Sequence, residues 1–331
     1  MQSYLMTATE NAGILSRVEA PVPEPGPGEV LVRMRAAALN RGEFIVGHGL
    51  AKAGSVKPIG MEGAGEVAKL GAGVTSLRAG QRVMGRCAGA FSEYAVMDVR
   101  EAIPMPDGLP FEHAAAVPLA FLLAHDILIA QGRLQAGECV LVLGVASGVG
   151  VAALQAAKER GAKVIGTSGS REKLERLAKE GLDVAVCSRG DGFAEAVMAA
   201  TDGRGANLVV NAVGGTVFAE AIRSLAFEGR YAQVGYVDNA VSAPIDLQAL
   251  HANRLTLFGV SNKRRDASQR ASGVPGFVAD LLPGIAAGRI RPVVDRVYPF
   301  DQLEAARARM ESNAHVGKIV IAMPIPSEGH R

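Results

Sequence analysis

Between residues 141 and 170 the sequence reads LVLGVASGVGVAALQAAKERGAKVIGTSGS. Gly144, Gly148 and Gly150 follow an apolar run at G-x-x-x-G-x-G spacing and lead into an alanine-rich segment, with Ser147 and Val149 inside the same turn. A turn without Cβ atoms lets backbone N–H groups close on a pyrophosphate, and a helix that starts there adds the favourable end of its dipole. Steric need alone also places glycine in a tight strand-to-helix turn. What points to a dinucleotide is the place of this cluster, at the first turn of a long strand–helix alternation.

One expected group is missing from the next crossover. A turn of this kind is usually followed, about 20 residues on, by an Asp or Glu that accepts from the adenosine ribose hydroxyls. Counting from Gly148 reaches Ser168, with Arg171 and Lys173 close behind. Small hydroxyls leave room for a 2′-phosphate and cations attract it, so the cofactor expected is NADPH. The alternative is that Arg171 and Lys173 are solvated residues opening the next helix.

Two patterns of element surround this turn. Residues 1–110 carry short apolar runs bounded by Gly and Pro, among them EVLVRMRAAAL, GAGEVAKLG, QRVMGRC and FSEYAVM, which read as strands of a partly open β-barrel. PVPEPGPGE at 21–29 is a loop within this region. From about residue 114 the period changes: AAAVPLAFLLAHDILIAQG reads as an apolar helix, and strands VLVLGV, KVIGTS, VAVC, NLVVNAV and RYAQVG then alternate with helices near 149–160, 171–180, 192–201 and 216–226. That spacing predicts an α/β fold with a doubly wound parallel sheet, to which LTLFGV adds a sixth strand. After 260 follow a charged loop or helix start, the helix FVADLLPGIAAG, the segment VVDRVYPF, the helix DQLEAARARMES and the strand KIVIAM.

Composition narrows the function classes. A chain of 331 residues suits about two domains. A net charge of +2 is no electrostatic footprint for nucleic acid, and the cluster Lys263, Arg264, Arg265 and Arg270 lacks interleaved aromatics for base stacking. No basic segment leads into an apolar run at the N-terminus, and no stretch reaches about 18 uninterrupted apolar residues, so a cytoplasmic protein with no membrane partner is expected. Cys87, Cys139 and Cys187 are far apart and form neither a disulfide framework nor a metal knuckle.

Motifs along nearly the whole chain resemble the medium-chain dehydrogenase/reductase superfamily, and within it the zinc-free NADPH:quinone oxidoreductase (zeta-crystallin-like) branch. They are AALNRGEF at 37–44, GMEGAGEVAKLGAGV at 60–74, GQRVMG at 80–85, AAAVPL at 114–119, GECVLVLGVASGVG at 137–150, GAKVIGTSGSREK at 161–173, NLVVNAVGG at 207–215, GRYAQVG at 229–235 and HVGKIVI at 315–321. The resemblance implies a discontinuous GroES-like catalytic domain of residues 1–120 and 263–331, with a Rossmann domain of 121–262 inserted and a cleft between them. It implies further cofactor contacts at Asn211, Val213, Gly235, Tyr236, Ser261, Asn262 and Lys318. Ser188 occupies a place where NADPH-dependent relatives often carry Tyr, and Arg189 beside it is expected to take over the phosphate contact.

Zinc-dependent members of the superfamily hold their metal with a Cys, a His and usually a second Cys. This chain has Asn40 and Met61 at the first two places and only apolar residues around 116–118 at the third. An amide and a thioether are poor zinc ligands, so no metal is expected. Without a Lewis acid, hydride transfer onto an already polarised quinone or enone suits the site better than alcohol oxidation.

Asn40, His48 and Glu62 are the implied catalytic groups, and Phe44, Met61 and His125 the implied substrate pocket. His48 is placed to donate a proton near neutral pH. A loop histidine facing water is the competing view, with solvent as the proton source. His125 replaces a residue that is usually Tyr, and it is otherwise one polar residue on an apolar helix. An enoyl-thioester reductase is the alternative within the superfamily, weakened by the missing Tyr in GHGLAKAGS. A non-catalytic NADPH-binding or RNA-binding protein is the alternative outside it. Family members pair their sixth Rossmann strands, so a homodimer through LTLFGV is implied.

Overall fold

The computed structural model describes residues 1–10, 12–45, 54–190 and 192–324; His48 lies outside these. Two compact units separate. One comprises Met1–Leu119, Ala267–Val274 and Pro292 onward, the other Ala120–Asp266 and Pro275–Arg291. The stretch 275–291, grouped by resemblance with the C-terminal tail, thus folds with the second unit. Arg289 holds Glu159 of the helix Gly148–Glu159 at 2.6 Å, and Gln155 Nε2 donates to Arg291 O at 2.7 Å.

The first unit is built on β-structure. Its larger sheet runs in the order Val294–Pro299, Lys318–Ala322, Glu29–Ala38, Glu62–Leu70, Arg82–Arg86 and Ala102–Pro104, with Tyr94–Asp98 also paired to Glu29–Ala38. A smaller sheet joins Gly13–Glu19, Gln2–Ala8 and Val56–Pro58. Lys318–Ala322 lies antiparallel to Glu29–Ala38 with Val320 opposite Ala38, so the C-terminal tail completes a sheet begun near the N-terminus. Met6, Val32, Met34, Phe91, Met97 and Ile321 fill the core between the layers. This is a GroES-like sheet domain.

The second unit carries a six-stranded parallel sheet in the order Val184–Cys187, Lys163–Ser168, Cys139–Leu143, Ala206–Asn211, Leu225–Gln233 and Thr256–Gly259. All five residues of Cys139–Leu143 are buried, as an inner strand of a parallel sheet requires. Chain order reverses beside this strand, at the switch point where a Rossmann sheet opens a crevice beyond its carboxyl ends. Leu143 sits in register with Thr167 on one side and Asn211 on the other, so the three following loops start at one level.

The apolar run at 114–132 is not one helix. Phe111–Ala115 ends before Pro118, which opens a second helix, Pro118–His125, that continues into a wider π-type turn over Asp126–Gln131. Proline lacks the N–H that would carry a helix through it but fits a first turn. No helix among the described residues is long and apolar enough to cross a membrane.

Candidate active site

The glycine turn folds as its spacing demands. Gly144 takes φ +75°, a left-handed conformation, and its N–H donates to Thr167 Oγ1 at 3.3 Å. Ser147 caps the helix Gly148–Glu159, its Oγ accepting from Gly150 N at 3.0 Å. A Cβ on Gly150 would stand 2.5 Å from Gly144 O and 2.7 Å from Val145 O, so only glycine allows the helix to start this close to the strand end. The amides of Gly148 and Val149 open the helix, where no turn of their own can accept from them. Exposed N–H groups at the positive end of a 12-residue helix favour an anion.

Ser168 ends the neighbouring strand, and its Oγ accepts from Ser170 N at 3.3 Å. Ser170 in turn caps the helix Arg171–Ala178 through Lys173 N at 3.4 Å. Arg189 lies across Gly169, whose added Cβ would meet Arg189 Cγ at 2.5 Å and Nε at 2.9 Å. Ser188 N donates to Ser168 O at 3.1 Å, which holds the two crossovers together. Ser168, Arg171, Lys173, Ser188 and Arg189 are thereby gathered at one strand end.

Beyond the fourth strand the fully buried Asn211 spends its side chain on the loop itself. Its Oδ1 accepts from Val213 N at 2.8 Å and Gly214 N at 3.1 Å, while Nδ2 donates to Gly214 O at 2.8 Å and Tyr231 Oη at 2.6 Å. Asn211 therefore shapes the turn that presents Val213. Tyr231 donates onward to Gln233, which donates to Gly235 O. Burial, opposed by the Asn211 hydrogen bond, pushes the Tyr231 hydroxyl up to about 12, so it stays protonated.

Asp238 ties the same loops by accepting from Thr216 N, Thr216 Oγ1 and Ala240 N. Partial burial works against its charge, but the Thr216 and Ala240 hydrogen bonds hold its carboxyl below the usual range. Tyr231, Gln233 and Asp238 were not singled out from sequence, since no spacing rule marks a residue whose work is to hold a loop. A cavity of about 330 Å³ opens beside Phe218, Tyr231, Gln233 and Leu257, and it shares Tyr236 alone with the expected nucleotide contacts. Ser261 Oγ accepts from Lys263 N, and Asn262 Oδ1 from the Arg265 guanidinium, so both shape the turn after the last strand.

In the GroES-like unit Asn40, Glu62 and Lys318 join in a buried polar network. Lys318 Nζ donates to Leu39 O at 2.7 Å, Asn40 Oδ1 at 2.7 Å and Glu62 Oε1 at 2.8 Å. Asn40 Nδ2 donates to Glu62 Oε1 at 3.0 Å and to Glu43 Oε1 at 2.8 Å. Leu119 N completes the shell of Glu62, which is 0% exposed, at Oε2 and 2.7 Å. Lys318 was expected at the cofactor, yet all three of its N–H donors are taken here.

Glu43, missed in the sequence, shares this site. Burial pushes its carboxyl up to about 7, against the lowering effects of Asn40 and Lys318, and its Oε2 has no hydrogen-bond partner. Burial likewise raises the Cys87 thiol, so it is no thiolate.

Phe44 and His125 are both buried. Phe44 is 4% exposed and packs in the core with Met6 and Leu15 under the Arg307 guanidinium. His125 is buried with Nε2 2.8 Å from Asp280 Oδ2, its ring pressed against Gly276, which makes it part of the helix packing of the second unit. Met61 is half-buried, and its carbonyl accepts from Cys87 N at 3.0 Å.

The oxygens of Leu39, Asn40 and Glu62 already enclose an ammonium, and among the described residues no three His, Cys, Asp or Glu side chains converge as metal ligands.

Residues 26–107 match the alcohol dehydrogenase GroES-like domain, and residues 148–272 match the family described as zinc-binding dehydrogenase. Among solved structures, mycobacterial Rv1454c complexed with NADPH is similar with a TM-score of 0.87 and 30% identity over 97% of this chain and 100% of that one. CurK enoyl reductase is similar with a TM-score of 0.84 and 25% identity over 97% and 100%. The spectinabilin polyketide synthase system protein NorB of Streptomyces orinoci is 35% identical over 318 residues, covering 93% of this chain and 14% of its own length. The chain spans 12–14% of the length of such curated relatives. This chain belongs to the medium-chain dehydrogenase/reductase superfamily of oxidoreductases and is quinone oxidoreductase-like.

Proposed function

We propose that the chain is an NADPH-dependent reductase that works without zinc and delivers a hydride to a quinone or an α,β-unsaturated carbonyl. The observation that carries this reading is the crossover after Lys163–Ser168, where Ser168, Ser170, Lys173 and Arg189 stand in place of a ribose-binding acid. Similarity to the NADPH-bound mycobacterial protein supports it. When bound, NADPH supplies the hydride. The chain's own residues bind and orient: Gly144 and Gly150 let the backbone close, the Gly148 and Val149 amides face the pyrophosphate, and Arg189 with Arg171 and Lys173 offsets the 2′-phosphate.

In the other unit Asn40, at one of the places where zinc-dependent relatives carry a ligand, is tied instead to Lys318 and Glu62. Such a site has no Lewis acid to polarise an alcohol, so an acceptor already polarised by conjugation fits. His48 is the proton donor in this reading, with solvent as the other source. A homodimer through the edge strand Thr256–Gly259 belongs to the same reading. The likeness to CurK enoyl reductase and to polyketide synthases favours a second reading, in which the acceptor is an enoyl thioester.

The test follows NADPH and NADH oxidation at 340 nm with 9,10-phenanthrenequinone, 1-octen-3-one and crotonyl-CoA, before and after dialysis against a chelator. Chelator-insensitive turnover preferring NADPH is the expected result, and the best acceptor separates the two readings. Turnover that needs added zinc, or that prefers NADH, overturns the proposal.

A further inference from the structure

Arg86 ends the strand Arg82–Arg86, directly across the sheet from Glu62 in the antiparallel register. Its side chain is half-buried, and it faces another cation. Arg270, on the short helix Ala267–Ala271, brings its Nε to 3.6 Å from Glu101 Oε1, and the Glu101 side chain is 7% exposed. Burial lowers the proton affinity of the Arg86 guanidinium and the charge of Arg270 lowers it further, with Glu101, Cys87 and Glu43 acting the other way. Glu101 is raised by burial, against the pull of Arg270 and Arg86.

Among the described residues the carboxylates in reach are Glu101, which pairs with Arg270, and Asp98, which is held by Arg100, with the buried Glu43 acting more weakly on Arg86. Arg270 is committed to its ion pair. Arg86 is not: its side chain makes no hydrogen bond and no ion pair with any described residue. A guanidinium offers five N–H donors in a planar fork whose natural complement is a carboxylate or phosphate held through two parallel hydrogen bonds. In a half-desolvated setting with a surplus positive charge, an oxyanion satisfies those donors and relieves the repulsion between the arginines at the same time.

We propose that Arg86, with Arg270 behind it, forms an anion-recognition site that selects acceptors bearing a carboxylate or phosphate group. The assignment of the anion to an acceptor rests on the reductase reading; the binding of an anion does not. Arg86 is a specificity residue in this scheme and takes no part in moving the hydride.

The experiment compares matched acceptors in the full chain with NADPH. Trans-4-oxo-2-pentenoate carries a carboxylate that 3-penten-2-one lacks, and crotonyl-CoA carries phosphates that the N-acetylcysteamine thioester of crotonate lacks. In Arg86→Met the ratio of kcat/KM for the charged over the neutral member falls about 10–100-fold, through KM, with Arg86→Lys in between. A fall with the oxopentenoate pair assigns a carboxylate, and a fall with the thioester pair assigns a phosphate. A ratio within twofold of wild type for both pairs overturns the proposal.

Should no acceptor be reduced, the reductase reading fails by itself, and the site is then read by calorimetry with 4-oxopentanoate and with tripolyphosphate. Saturable binding to the wild-type chain that is lost in Arg86→Met sustains the anion site. Binding that is absent, or equal in both chains, overturns it. Circular dichroism of both variants checks folding, and Arg86→Lys keeps the test open if the methionine variant does not fold.

Discussion

Glu43 gives a stability prediction with a definite sign. Its carboxyl is raised by burial from 4.5 to about 7, so across that interval the folded chain holds a proton that the unfolded chain releases. Stability therefore falls as pH rises from the unfolded value to the folded one; below that window the group contributes nothing, and above it the full cost is present. At 1.36 kcal/mol per pH unit, a gap of this size costs about 3 kcal/mol by pH 8. Glu43→Gln mimics the protonated acid, keeping an acceptor for Asn40 Nδ2 while removing the ionisation. Urea unfolding followed by circular dichroism at pH 5, 6, 7 and 8 is expected to show the variant gaining on wild type by about 2.5 kcal/mol between the ends of the series. Two parallel profiles would refute the reasoning, because they would mean that Lys318 sustains both Glu43 and Glu62 as carboxylates.

Other outcomes follow from the same geometry. Lys318→Met strands the buried Glu62 without its counter-charge and is expected to destabilise the chain by about 3–5 kcal/mol in the urea assay, with Glu62→Gln in the same chain restoring part of the loss. Gly150→Ala drives a Cβ into two backbone carbonyls, which is expected to cost about 1–3 kcal/mol of stability and to abolish the fluorescence enhancement of titrated NADPH. Ser168→Asp restores a ribose-binding acid beside Arg189, and the ratio of NADPH to NADH affinity is expected to drop about 10–100-fold in that titration; an unchanged ratio would remove the 2′-phosphate from this crossover.

The local geometry of the proposed nucleotide site was legible because it is built from near neighbours in sequence. A glycine turn, a capping serine and the residue ending the next strand lie within some 30 consecutive positions, and strand–helix periodicity places them on one edge of a sheet. The buried network of the other unit was legible only as a set of candidates. Asn40, Glu62 and Lys318 were each singled out, but their grouping was not, because 256 residues separate Glu62 from Lys318 and only the pairing of Lys318–Ala322 with Glu29–Ala38 brings them together. Glu43 escaped notice since a carboxylate in a short polar turn ordinarily faces water. Phe44 and His125 were placed in a pocket by motif, whereas the packing of their own elements buries one in a core and pairs the other with Asp280.

What the sequence determined by itself is the element plan and the glycine turn, since periodicity and the steric demands of glycine act between near neighbours. The tertiary structure alone decided which charges meet. It set Lys318 among the oxygens of Leu39, Asn40 and Glu62, left Glu43 half-satisfied beside them, and placed Arg86 within the electrostatic reach of Arg270. Electrostatic energy depends on distance and burial, and neither is a property of chain order.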